Sequence, residues 1–150
     1  MAETTSTKEF EKIKDRALRL LARRDHSSLE LKLKLKSKLK IENSVFDELL
    51  THLKGLGLMS NEEGLSQRWI LEWRKSGRGR HWISGKLRSK GLPKVELRDD
   101  EEERAAATLF IEKKLSGKNI KELRYEERAK LGRTLVSRGF SMSLVAEIIK

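Results

Sequence analysis

The sequence contains no cysteine, a single proline and few aromatic residues, which make up 5% of its 150 positions. Without cysteine, disulfides, thiolate metal sites and cysteine nucleophiles are excluded, and a reducing compartment fits that lack. One proline leaves helices free to run. β-branched residues are sparse and no Asn-Gly or Asp-Gly pair occurs, so the usual hairpin signals are missing. No run approaches the ~18 uncharged apolar residues of a membrane span. The opening MAETTSTKEFEKIK lacks the apolar centre of a signal peptide. These absences predict a cytoplasmic protein with no membrane contact.

Charge is abundant. Lys and Arg number 34 against 23 Asp and Glu, a formal net charge of +11, and charged residues are 38% of the chain. Such an excess points to a polyanion or an acidic protein surface as partner. Apolar residues at 37% suffice for modest cores, and the length suits one domain or a short array of small units.

Helix punctuation recurs along the chain. Ser27-Ser28-Leu29-Glu30 and Ser60-Asn61-Glu62-Glu63 read as capping boxes. Gly55, Gly77, Gly91, Gly117 and Gly139 each follow a helix-like stretch, and Pro93 suits a first helical turn. The pattern predicts an all-α chain with helices at 9–24, 27–39, 44–54, 61–76, 80–90, 93–98, 100–116, 122–138 and 142–149. Apolar stripes at helical spacing are Phe10, Ile13, Ala17 and Leu20/Leu21; then Leu65, Trp69, Ile70 and Trp73; then Ala105, Ala106, Leu109, Ile111 and Leu115. The run Leu29–Lys40, LELKLKLKSKLK, alternates as a strand does. Its residue types, the capping box before it and the lack of a partner strand favour helix. Leu31, Leu35 and Leu39 then share one face, and Leu29 and Leu33 lie nearly opposite it.

A pattern Leu-x-Ser-basic recurs at Leu35–Lys38, Leu87–Lys90 and Leu135–Arg138, with an apolar residue ten positions after each leucine at Val45, Leu97 and Val145. Gly91 and Gly139 follow the second and third copies, and Leu39 stands in that place in the first. A period of about 50 residues holds about three short helices, so the pattern predicts three tandem three-helix repeats in an elongated, curved array. The expected division is a flexible N-terminus at 1–8 and repeats at 9–56, 57–98 and 99–150.

Several blocks together carry a family likeness. Leu20-Leu21-Ala22-Arg23-Arg24-Asp25-His26-Ser27 with Glu30-Leu31 resembles the opening signature of the RecX family, and Gly55-Leu56-Gly57-Leu58 with Asn61-Glu62 and a following aromatic helix resembles its next block. Ser76-Gly77-Arg78-Gly79-Arg80 with Ile83, Leu87 and Lys90-Gly91-Leu92 resembles its middle block, and Leu135–Phe140 with Val145 its last repeat. The likeness runs from about Leu18 to the end. It implies a non-enzymatic modulator of the RecA recombinase, built of tandem three-helix repeats. Such a protein lies in the groove of the RecA–single-stranded DNA filament and inhibits ATP hydrolysis, strand exchange and co-protease function.

The binding candidates follow charge density. Residues 65–94 hold nine Lys/Arg and one acid, Glu72. From this stretch Arg74, Lys75, Arg78, Arg80, Trp82, Lys86, Arg88 and Lys90 form the predicted filament-binding set, because arginine forks match phosphate and carboxylate oxygens. A second basic set is Arg23, Arg24, Lys32, Lys34, Lys36, Lys38, Arg133 and Arg138; of these, Arg23, Arg24, Arg133 and Arg138 also suit helix C-termini electrostatically. Trp69 and Trp73 are expected in a core, and Trp82 at the surface. His26, His52 and His81 are scattered without metal-ligand spacing. Asp99–Glu103 reads as a dipole-complementing helix start, and no serine sits in a nucleophile motif. Catalytic residues, metal and cofactor are expected to be absent, and the free protein to be a monomer. The alternative reading is a direct DNA-binding protein whose basic faces grip phosphates.

Overall fold

The computed structural model describes residues 2–150, with side chains from Thr7 onward. Every regular element among them is helical: α1 Ala2–Arg23, α2 Ser28–Lys38, α3 Asn43–Gly55, α4 Glu62–Lys75, α5 Arg80–Ser89, α6 Asp100–Leu115, a short 3-10 turn Ile120–Glu122, α7 Tyr125–Ser137 and α8 Met142–Ile148. The all-α reading holds. The chain divides into two compact units, Met1–Leu65 with Lys90–Leu92, and Ser66–Ser89 with Pro93–Lys150.

In the first unit, α1, α2 and α3 enclose a core of Ile13, Ala17, Leu31, Leu35, Phe46, Leu49 and Leu53. The capping box at Ser27 starts α2: its Oγ accepts from the Glu30 backbone N–H at 3.1 Å, and Glu30 Oε1 accepts from the Ser27 N–H at 3.2 Å. The LKLKLK run is therefore helical. Leu31 and Leu35 are fully buried while Leu33 stays 57% exposed, a split that a strand with all its leucines on one face cannot produce. Burying each inward leucine stabilises by about 1.5–3 kcal/mol.

In the second unit, Asp99 caps α6 by accepting from the Glu101 and Glu102 N–H groups at 3.0 and 3.2 Å. Ala106, Ala107 and Ile111 on α6 meet Leu123, Leu131, Leu135, Phe140, Leu144 and Val145. Two backbone turns touch directly here. Gly79 donates its N–H to Arg138 O at 2.8 Å, and His81 donates to Gly139 O at 3.0 Å. A Cβ on Gly79 would fall 2.4 Å from the Gly139 carbonyl carbon, and Gly139 itself is left-handed at φ +100°.

Five expectations need correction. The helix predicted from residue 9 begins at Ala2; no glycine or proline interrupts this stretch. The cap of α4 is Asn61, not Ser60: Asn61 Oδ1 accepts from the Glu63 N–H at 2.8 Å. The helix at 93–98 does not form, and Pro93–Asp99 carries no regular element. Proline biases Leu92 away from helix, and six residues close too few i→i−4 bonds to offset nucleation. The predicted 122–138 helix starts at Tyr125, after the 3-10 turn. On α6 the buried face is Glu103, Ala106, Ala107 and Ile111, and Leu109 is 37% exposed with Ala105 outside. Glu103 shares that buried face and pairs with Arg74.

Candidate functional site

The densest cationic region is built by the passage from α4 to α5. Gly77 turns left-handed at φ +78°, and the Arg78 N–H closes on Trp73 O at 2.9 Å. Arg78 thus projects from a tight turn whose next helix carries Trp82. Its guanidinium carbon lies 4.4 Å from the Trp82 ring centroid, and Lys86, one helical turn on, places Nζ at 5.7 Å. Both distances suit cation–π attraction. Trp73 meets Trp82 edge to face at 5.4 Å and 84°, and Trp69 lies 5.8 Å from Trp73 at 40°. All three tryptophans are half-buried. Trp69 and Trp73, expected in a core, are half-buried and stack on one another, and Trp82, expected at the surface, is half-buried between two cations and an indole edge.

The same surface of the unit continues through a residue from the second predicted set. Arg138, in the turn after α7, donates from Nε to Gly77 O at 2.8 Å and from Nη2 to Ser76 O. These bonds cap the carbonyl end of α4. Its guanidinium carbon sits 4.4 Å from the Phe110 centroid, with Lys114 Nζ at 5.7 Å from that ring. Burial first, and then the neighbouring Arg78 charge, lower the Arg138 pKa from its ordinary value. Phe110 and Lys114 were not anticipated from the sequence. Arg138 was, and its place in the Leu-x-Ser-basic-Gly pattern was the signal available.

Other predicted residues have structural partners. Arg74 is 9% exposed and its Nη1 pairs with Glu103, which is 1% exposed. Glu103 Oε1 also accepts the Arg80 backbone N–H at 2.9 Å, and Arg80 Nη1 lies 3.5 Å from Asp100. Arg74 is thus an internal ion pair, which corrects its assignment as a surface contact: an arginine so enclosed has no fork to offer a partner. Lys75, Lys86 and Arg88 are exposed.

In the first unit, Lys90 Nζ reaches Glu30 Oε2 at 2.7 Å, and Arg24 Nη2 reaches the same oxygen at 2.7 Å. Ser27 Oγ donates to Lys90 O at 2.6 Å. Burial would raise the Glu30 pKa, but hydrogen bonds from Arg24, Lys90 and the Ser27 N–H outweigh it and hold the carboxyl at about 2. His26 is buried at 3% exposure. Its Nδ1 lies 2.9 Å from Arg24 O and its Nε2 3.0 Å from Lys34 Nζ. A neutral ring donating from Nδ1 and accepting at Nε2 satisfies both contacts, and desolvation lowers its pKa. Lys36 is tied to Asn43 at 2.6 Å and Lys32 lies over Phe46 at 5.7 Å. Arg23, Lys38 and Arg133 are exposed. His52 is half-buried with its ring edge-on to Phe10 at 6.2 Å.

Among the described residues no group of three or more His, Asp or Glu is placed to hold a metal ion, and no helix is long and apolar enough to cross a membrane. Residues 100–149 match the family model of the RecX third three-helix domain, the segment folded as α6, α7 and α8. RecX from Lactobacillus salivarius is similar in structure over 95% of this chain and 96% of its own, with 21% identity and a TM-score of 0.63. A second structure, of a regulatory protein RecX, is similar over 98% of this chain and 76% of its own, with 21% identity and a TM-score of 0.65. These likenesses show the fold. No curated protein matches the chain in sequence.

Proposed function

We propose that the chain is a regulatory protein of the RecX family, whose third three-helix domain residues 100–149 match, and that it binds the RecA–single-stranded DNA filament in its groove. The binding inhibits ATP hydrolysis, strand exchange and co-protease function. It acts without catalysis of its own. Three tandem repeats, the second reduced to α4 and α5, supply the scaffold.

The observation that carries the reading is the strip Lys86–Trp82–Arg78, continued by Arg138 and Lys114 on Phe110. It concentrates cations on aromatic supports, with Lys75 and Arg88 exposed on the same two helices. Fixed guanidinium planes lose little entropy on binding, and clustered charge speeds encounter with an anionic filament. Exposed contacts of this kind weaken as salt rises. The test is RecA-dependent strand exchange and ATP hydrolysis with the protein added. The account expects both to fall at a stoichiometric dose; unchanged rates contradict it.

A further inference from the structure

We propose that Arg78 and Arg138 form a clamp that holds one phosphate group between two ring-supported guanidinium groups. The clamp deepens the reading above and rests on it for its biological setting, but its chemistry stands on the geometry of one unit.

The two arginines leave adjoining turns. Gly139 is so close to Trp82 that a Cβ would meet the Trp82 backbone nitrogen at 2.4 Å, and Arg78 lies over the same Trp82 at 4.4 Å. Arg138, one residue before Gly139, reaches back to Gly77 O, the carbonyl immediately before Arg78. Both cations are thus anchored to one small patch of backbone.

Their donors are left available. Arg138 commits Nε and one Nη2 hydrogen to the carbonyls of Gly77 and Ser76, which leaves three of the five guanidinium hydrogens. Arg78 is held by the Trp82 ring alone. Neither has a carboxylate partner among the described residues, whereas Arg24, Arg74, Arg80, Arg104 and Arg124 each have one. Two like charges set together in a partly dry turn repel each other: burial first, and the Arg78 charge second, lower the Arg138 pKa. An anion between them removes that repulsion.

The geometry favours phosphate over carboxylate. One guanidinium fork saturates the two oxygens of a carboxylate, while a phosphate presents oxygens in three dimensions to two forks. Base stacking on Trp82 is disfavoured, since its ring already carries Arg78 and Lys86. The phosphate comes either from a nucleic-acid backbone or from a free phosphorylated small molecule.

The experiment follows the arginine Nε–H resonances of the labelled full-length chain by NMR. The titrants are inorganic pyrophosphate, a short thymidine oligonucleotide without terminal phosphate, and a short glutamate peptide. The Arg78 and Arg138 signals are expected to move together and saturate on one isotherm, with Arg133 and Arg98 still. Saturation by the oligonucleotide assigns a backbone phosphate, and saturation by pyrophosphate alone assigns a free one; either supports the clamp. Arg78→Ala should weaken the Arg138 response about ten-fold, since a charged fork is lost. Lys75→Ala should change it by less than about three-fold, as an exposed charge does. The Arg78 side chain makes no hydrogen bond within the fold, and Arg78→Ala keeps the backbone bond to Trp73 O, so the variant stays folded. Shifts that grow linearly and equally at Arg133, saturation by the glutamate peptide alone, or an unchanged Arg138 isotherm in Arg78→Ala would each overturn the clamp. Phosphate capture by a protein that leaves RecA unaffected refutes only the regulatory reading. Inhibition of RecA without phosphate capture refutes only the clamp.

Discussion

In the first unit Glu30 lies three residues after Ser27, caps the start of α2 and takes Arg24 and Lys90 on one oxygen. In the second unit Glu103 arrives from a separate helix, 23 residues beyond Arg80, to accept the N–H at the start of α5 and to pair with Arg74. At both helix starts a Leu-x-Ser-basic-Gly segment is also seated: Lys90 O accepts from Ser27 Oγ, and Arg138 O accepts from the Gly79 N–H. The first start carries its own cap and meets its segment through a side chain. The second is bare glycine, borrows its acid from α6 and touches its segment backbone to backbone. The second arrangement is tighter and drier, so it tolerates less change, and it leaves Arg138 and Arg78 facing outward with donors to spare.

Substitution at the backbone contact should break that contrast most strongly. Gly139→Ala forces φ +100° on an L-residue and drives Cβ to within 2.5 Å of Trp82. Backbone strain of about 1–3 kcal/mol adds to overpacking of about 1–3 kcal/mol, read by chemical denaturation. Glu103→Ala comes next: it strands the Arg74 charge in a buried setting and should cost about 3–5 kcal/mol. Within the first unit, Leu35→Ala should cost about 2–5 kcal/mol by emptying a fully buried site. Leu33→Ala, at 57% exposure, should stay within about 0.5 kcal/mol. Equal effects at the two leucines would contradict the helical reading of the LKLKLK run.

A further contrast between the units concerns acid. Glu30 is held near 2 against an ordinary 4.5, so it stabilises the first unit above pH 4.5 and loses that contribution as pH falls toward 2. Arg24 is 46% exposed, and solvent screening reduces the effect of Glu30→Gln at neutral pH to about 1–2 kcal/mol. His26 acts in the same direction at milder pH. Its pKa lies below the ordinary 6.5, so below pH 6.5 the unfolded chain takes up the proton first and stability declines. Resonances of the first unit should report acid loosening before those of the second in a pH series.

Much of this was legible in local chemistry. The Ser27 box, the glycine turns after α4 and α7 and the i, i+4 leucines of α2 are interactions within about one helical turn, which is the range that sequence patterns encode. The errors lie where distance in the chain is large or a segment is short. Arg74 looked like a surface cation because its partner stands 29 residues away. The acidic run at α6 read as a dipole complement, which Asp99 satisfies, while Glu103 alone of the run is buried. Arg138 carries bonds to residues 61 and 62 positions earlier, so its partnership with Arg78 has no local signature. The stretch at 93–98 carried a proline that suits a helix start, but too little chain to sustain a helix.

Fluorescence anisotropy of a labelled single strand, bare or coated with RecA, tests the central claim most directly when wild type is compared with the Arg78→Ala/Lys86→Ala variant. The account predicts that wild type binds the coated strand far more tightly than the bare one and that the variant loses about ten-fold on the coated strand. Equal affinity for both strands, or a variant that binds the coated strand as wild type does, would contradict it.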